Sequence, residues 1–361
     1  MDESGRIRNE RVEQGDGEMD ARGAQLNVRS VVLGLLASLV VIVVIVSLVG
    51  ASSVVAAFKA ARPSAIFAIV VAVACWQVAW SSALHVVLSL LEYPQSRPRT
   101  MLIYLSIVFA NSITPFAQAG AEPLAALFVS RATDAEYETG LSAVVSVDTI
   151  NFLPSIGFAM LGFAYFTVRA TLNPRLKLAL VLFLVVALVV AVVAVFAWRS
   201  RETLAASLVS GLSRLGAFLS RKTPLNVDVP EQELERRVTL FLSNLEQIAR
   251  TPHRLAVGLF FSAVGWFFLA VCLWLSLYSL GYAIPVEAPL FIVPLAMTAS
   301  VTPLPGGFGG IDAAYILLLV SLTNVPLPVI TAALLVFRAG TYLLPVIAGG
   351  AAVTMLEANR R

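Results

Sequence analysis

The chain is short of charge. Only 13% of its 361 residues are Asp, Glu, Lys or Arg and 58% are hydrophobic, whereas a soluble domain carries roughly a quarter charged residues. That balance excludes a soluble globular protein, and no nucleic-acid partner is expected. Histidine and cysteine are scarce too, with two of each. Cys75 and Cys272 sit in apolar stretches far apart, without a CxxC pattern, and read as small core hydrophobes. His85 and His253 read as side chains near a membrane interface rather than as ligands. HExxH, DxD, GxSxG and a GK[ST] phosphate loop are all missing, so neither metal nor nucleophilic catalysis is supported, and no cofactor is expected. The alternating polar and apolar pattern of a membrane barrel is also absent.

What is present is helix-forming apolar sequence. Residues 31–50, 64–91, 178–198, 255–282 and 329–355 each reach the ~20 residues needed to cross ~30 Å of hydrocarbon. The fold class is an all-α integral membrane protein, because only helices of this kind satisfy their own backbone groups in lipid. Residues 1–29 mix five arginines with acids and glycines and read as a disordered tail.

Four shorter apolar pieces, 101–115, 123–129, 288–302 and 311–323, fall short of a full crossing. They form two pairs, each joined by a Pro/Gly-rich break, NSITPFAQAGAEP and TPLPGGFGG. Loop charges indicate how the first pair runs. As a re-entrant hairpin it leaves nineteen basic residues inside: five in the tail, Arg97, Arg99, Arg131, nine within 199–254, Arg360 and Arg361. Five stay outside, Lys59, Arg62, Arg169, Arg175 and Lys177. A single crossing would reverse the balance, to ten inside and fourteen outside. The positive-inside rule therefore predicts the hairpin, with both termini cytoplasmic in a multi-pass cell-membrane protein. The second pair carries no loop charge, and only its shortness argues for re-entry.

The expected plan is a tail (1–29), a first membrane half (30–198), a cytoplasmic or interfacial connection (199–254), a second membrane half (255–357) and a short end (358–361). Each half contains one broken hairpin, and broken segments in corresponding places point to a transport site. The connection holds two amphipathic stretches, 204–219 and 234–248.

Ionisable groups at bilayer depth are costly and therefore informative. Four stand out. Glu122 precedes Pro123 and reads as a helix cap that also lines a cavity. Asp148 lies in the most polar patch of any span, with Ser146, Thr149 and Asn151 ahead of Pro154. Asp312 follows the glycine-rich turn at a helix start, where free amides favour an anion. Arg338 is about 15 Å along the last span, too deep to snorkel easily, and is expected to pair with Glu122, Asp148 or Asp312, best through a bidentate contact.

The stretches NSITPFAQAGAEPLAALFVSR (111–131), TPLPGGFGGID (302–312) and RAGTYLLPVIAGG (338–350) together resemble the membrane domain of lysylphosphatidylglycerol synthases, a flippase-like family. The resemblance runs from about residue 30 to the end and implies a lipid-translocating domain. It implies functional positions at Gly120, Glu122, Pro123, Pro305, Gly306, Gly307, Asp312 and Arg338. With Asn111, Pro115, Asp148, Asn151 and Tyr342 these make up the expected substrate path. Asp312 stands where Glu is usual in that family, and arginines common beside the acids are replaced by Ile311, Ala125 and Thr149. No soluble transferase domain is visible, so lysine transfer is not implied. The expected partner is a membrane lipid or a polyprenol-linked headgroup. The alternatives are a membrane-embedded enzyme acting on a lipid phosphate or glycosyl group, or a scaffold for a separately encoded transferase.

Overall fold

The computed structural model describes residues 62–114, 118–169, 231–300 and 305–358, with isolated positions between 59 and 200. The tail, the span 31–50, most of 178–198, the stretch 204–219 and Pro115 lie outside the described residues. The described chain is helical: α1 Pro63–Leu90, α2 Arg97–Ile113, α3 Gln118–Thr133, α4 Tyr137–Arg169, α5 Glu231–Ala249, α6 Pro252–Ser279, α7 Glu287–Met297, α8 Gly310–Leu322, α9 Leu327–Arg338 and α10 Leu344–Ala358. Prolines mark several starts, at the first or second position of α1, α2, α6 and α9. There the missing N–H would have had no helical partner anyway.

Four stretches are long and apolar enough to cross a membrane: Pro63–Leu90, Tyr137–Gly162, Pro252–Ser279 and Leu327–Ala358. Their outer faces carry exposed Phe67, Leu161, Phe260 and Ile347, the expected surface against lipid tails. α1 and α6 form the antiparallel spine. The Arg62 N–H donates to the Ser279 carbonyl at 3.2 Å, and the Trp80 indole N–H donates to the Ser262 carbonyl at 3.1 Å. The two contacts share one antiparallel register.

α2 and α3 form a helical hairpin whose outer ends are tied together, since the Arg99 guanidinium donates to the Ala132 carbonyl at 2.8 Å. By helical rise they extend about 25 Å each. The chain therefore returns to the end of the bundle from which it set out. α7 and α8 form the second hairpin. It leaves from the opposite end, where α6 finishes beside Arg62.

Two apolar cores correspond to these hairpins. One gathers the first half of α1, the second half of α6, and α7, α8 and α9. The other gathers the second half of α1, α2, α3, the first half of α4 and residues of α10. Phe308, from the second hairpin's turn, belongs to the first hairpin's core, so the second turn packs against the first hairpin.

α5 confirms the second amphipathic stretch and closes one end of the bundle. Asn244 donates to the Thr139 hydroxyl and Gln247 to the Leu90 carbonyl. Arg236 and Arg237 pair with Glu136 and Glu138 across the α3–α4 turn and with Glu233 on their own helix. Those hydrogen bonds hold the Glu233 carboxyl below its ordinary range.

Two expectations need correcting. α3 begins at Gln118 and not at Pro123, so Glu122 lies inside the helix and does not cap it. Pro123 is accommodated within the second turn, where only one backbone acceptor loses its partner. The last span is not one regular helix either, because Ala339–Leu343 forms a π turn directly after Arg338.

The hairpin geometry makes a topological prediction. In a background lacking Cys75 and Cys272, single cysteines at Ser96 and Glu136 should react with an impermeant maleimide from the same face of the membrane, and a cysteine at Ala283 from the opposite face. Labelling of Ser96 and Glu136 from different faces would show that α2 and α3 make one crossing.

Candidate functional site

The two hairpins meet on the last span. Tyr342, in the π turn, donates its hydroxyl to the Ser112 carbonyl at 3.1 Å, near the inner end of α2. Its ring stands edge-on to Phe308, with centroids 4.6 Å apart. Gly306 packs against the same ring, so closely that a Cβ there would lie 2.5 Å from it, and its φ is +62°. Position 306 therefore requires glycine twice over, for space and for left-handed backbone. One tyrosine thus touches both breaks, and the two hairpins meet here.

Beside this junction lies the charged pair. Arg338 Nε donates to Asp312 Oδ1 at 2.7 Å, with side chains only 16% and 22% exposed. The other carboxylate oxygen, Oδ2, accepts the Gly309 N–H at 3.1 Å at the start of α8. A carboxylate there is favoured by the free amides of the first turn. Asp312 consequently does both jobs considered for it, capping α8 and neutralising Arg338. Because its oxygens are divided between two donors, the expected bidentate fork does not form. The guanidinium also lies over the Phe308 ring, 5.0 Å from its centroid, a favourable cation–π placement. Nη2 of Arg338 is buried and has no hydrogen-bond partner among the described residues.

The remaining candidates are distributed around this centre. Gly307 continues the turn with φ +68°, and Pro305 opens it. Asn111 is half-buried in the last turn of α2. Gly120 and Glu122 lie half-buried in the first turns of α3, and no contact joins Glu122 to Arg338 among the described residues. Asp148 is half-buried in α4, three turns into the helix, and its charge acts on Tyr104 of α2. Asn151 is buried, and its backbone carbonyl accepts the Trp266 indole N–H at 2.7 Å. Sequence reasoning missed Ser112 and Phe308. Phe308 had a readable signal, a lone aromatic between two glycine pairs in PGGFGG. Ser112 acts through its backbone and had none.

These features define a polytopic helical membrane protein whose two opposed hairpins close on a charged and aromatic centre in its last span. The chain belongs to the Lysylphosphatidylglycerol synthase TM region family, whose model matches residues 31–349. It is similar to a UPF0104 membrane protein of Methanothermobacter thermautotrophicus, 23% identical over 327 residues that cover 90% of this chain and 92% of that one. A UPF0104 membrane protein of Methanocaldococcus jannaschii is 23% identical over 275 residues, 75% of this chain and 78% of its own.

The divided carboxylate predicts unequal losses. Arg338→Met should lower stability in detergent by about 3 kcal/mol, the lower end for breaking a buried pair, because Asp312 is left charged. Asp312→Asn/Arg338→Met should recover part of that loss, with a coupling of about 1 kcal/mol or more in a double-mutant cycle of thermal unfolding. Strict additivity would mean that the pair carries no stabilising interaction.

Proposed function

We propose that the protein moves the polar headgroup of a membrane lipid or polyprenol-linked lipid across the bilayer, with the hairpin junction as the polar path and both termini in the cytoplasm. The supporting observation is that hairpins from opposite ends of the bundle clasp a single span at one level, beside an arginine whose buried Nη2 has no hydrogen-bond partner among the described residues. Each hairpin can then gate access from its own side while the other stays closed, which is the geometry that alternating access needs. Arg338 supplies the cation for a phosphate. The lipid tail stays in hydrocarbon against the exposed apolar face, so only the headgroup needs protein partners.

Purified protein in vesicles containing acyl-labelled fluorescent phospholipids should accelerate the exchange of label between leaflets, read by dithionite quenching. Tyr342→Phe keeps the ring but loses the Ser112 link. Its rate should fall about fivefold, as expected for one hydrogen bond of ~1 kcal/mol. Arg338→Ala should fall further. Wild-type vesicles with no more exchange than empty ones, across anionic and zwitterionic lipids, would rule out the reading.

A further inference from the structure

The two apolar cores are stacked along the spans, and each crossing stretch passes from one to the other. α1 gives residues 69–76 to the second hairpin's core and 84–90 to the first hairpin's, and Trp80 between them packs against both. α4 changes core between Ile150 and Ala159, α6 between Leu259 and Trp266, and the last span between Phe337 and Tyr342. The levels agree. The Trp80 and Trp266 indoles donate to the carbonyls of Ser262 and Asn151, and a Cβ on Gly340 of the π turn would meet Val73, a turn before Gln77, at 3.5 Å.

Buried polar atoms without a hydrogen-bond partner among the described residues collect at this change-over: Trp76 Nε1, both ends of the Gln77 amide, Asn151 Oδ1, Ser262 Oγ and Arg338 Nη2. The remaining one, the Tyr315 hydroxyl, lies within the second hairpin's core. Two of the four spans are also interrupted at the same level, α4 by Pro154 and the last span by the π turn Ala339–Leu343. α1 and α6 run through it unbroken, and the Trp80 ring lies so close over Gly265 that no side chain fits between them. The interruptions hold corresponding places. An unbroken span, a hairpin and an interrupted span follow one another from α1 to α4 and again, in the opposite direction, from α6 to α10.

Proline removes one helical hydrogen bond and leaves the carbonyl four residues earlier, that of Ile150, without its usual donor. Bending at such a point frees further backbone groups, and within a bilayer each of them needs a partner. The change-over layer holds spare donors and acceptors at that depth, which lower stability while they stay unused. We propose that α4 bends at Pro154 and the last span bends at the π turn, each against a fixed spine of α1 and α6. Each end of the bundle then opens on its own side without parting the spine, which rests on the lipid-translocation reading and gives it its moving parts.

Spin labels test this directly in a background lacking Cys75 and Cys272. Labels at Ser64 and Leu161 report α4 against α1 at one end of the bundle, and labels at Arg254 and Glu357 report α10 against α6 at the other; all four positions are exposed. In vesicles of phosphatidylglycerol and phosphatidylcholine, each pair should show two separations differing by ~5 Å, on the scale of one helical turn. Ser64 with Arg254, at opposite ends of the spine, should show one. Pro154→Ala combined with deletion of Ala339 makes both spans regular, and losing the extra residue of the π turn keeps Arg338 and Gly349 on their present faces. This variant should show one separation in each pair and an equal or higher melting temperature, since proline inside a helix is destabilising. Its exchange of labelled phospholipid between leaflets should fall at least about fivefold, because the conformational step is blocked. Should it fail to fold, Pro154→Ala alone should still reduce the Ser64 and Leu161 pair to one separation. The inference is overturned if either wild-type pair is as narrow as the spine pair, or if the regularised variant keeps wild-type separations or exchange. Two separations in a wild type that exchanges no lipid would instead strike the translocation reading and leave the hinges standing.

Discussion

An arginine deep in an apolar span must be neutralised where it stands, and the structure around Arg338 follows from that requirement. Asp312 is the acid that reaches it. To do so it must sit in the first turn of α8, and α8 must start at Arg338's level in the bundle. α7 and α8 are thereby held as a hairpin whose turn stays inside the protein. The glycines make this possible, because a turn with positive φ at 306, 307 and 309 brings Phe308 under the guanidinium while leaving the Gly309 N–H for the second carboxylate oxygen. The alternative, an uncompensated charge in low dielectric, costs several kcal/mol.

The second tie is weaker and differs in kind. Tyr342 holds α2 through one hydrogen bond to a backbone carbonyl and holds the glycine turn through ring contacts. A net value of about 1 kcal/mol per hydrogen bond makes this the easier of the two to open. The ion pair thus ties the second hairpin to the last span, and the tyrosine link adds the break of the first.

Much of this was legible in the sequence because membrane burial leaves few options. The spans read at 64–91, 255–282 and 329–355 from apolar length are present, those read at 31–50 and 178–198 lie largely outside the described residues, and the charged pair followed from the rarity of ionisable groups at depth. The acid partner was narrowed to three and not to one, since helical spacing cannot say which helices touch. Glu122 was misread because proline is common in the first turn, and Pro123 could equally sit one turn further in. Gln77 and Tyr315 drew no attention because a single amide or phenol in an apolar helix looks ordinary until its neighbours are known. Tyr315 is almost completely buried with its hydroxyl unpartnered, which only the packed structure reveals.

The π turn was illegible for a different reason, and it governs the rest of the site. An apolar span has no polar stripe whose phase would betray an extra residue, so 329–355 reads as regular helix. Replacing the π turn by ordinary helix would rotate everything beyond Leu343 by about 100°. Gly349 would then leave the Leu105 carbonyl, against which α10 packs too closely for any side chain. A larger neighbour would meet α2 in its place. The extra residue thus reconciles two demands on one helix: Arg338 must face α8 on one side of the junction, and a glycine must face α2 beyond it. π turns are rare and persist where tertiary contacts favour them. Here the contacts on both sides belong to the two hairpins, so a change in either one bears on the conformation of the turn between them.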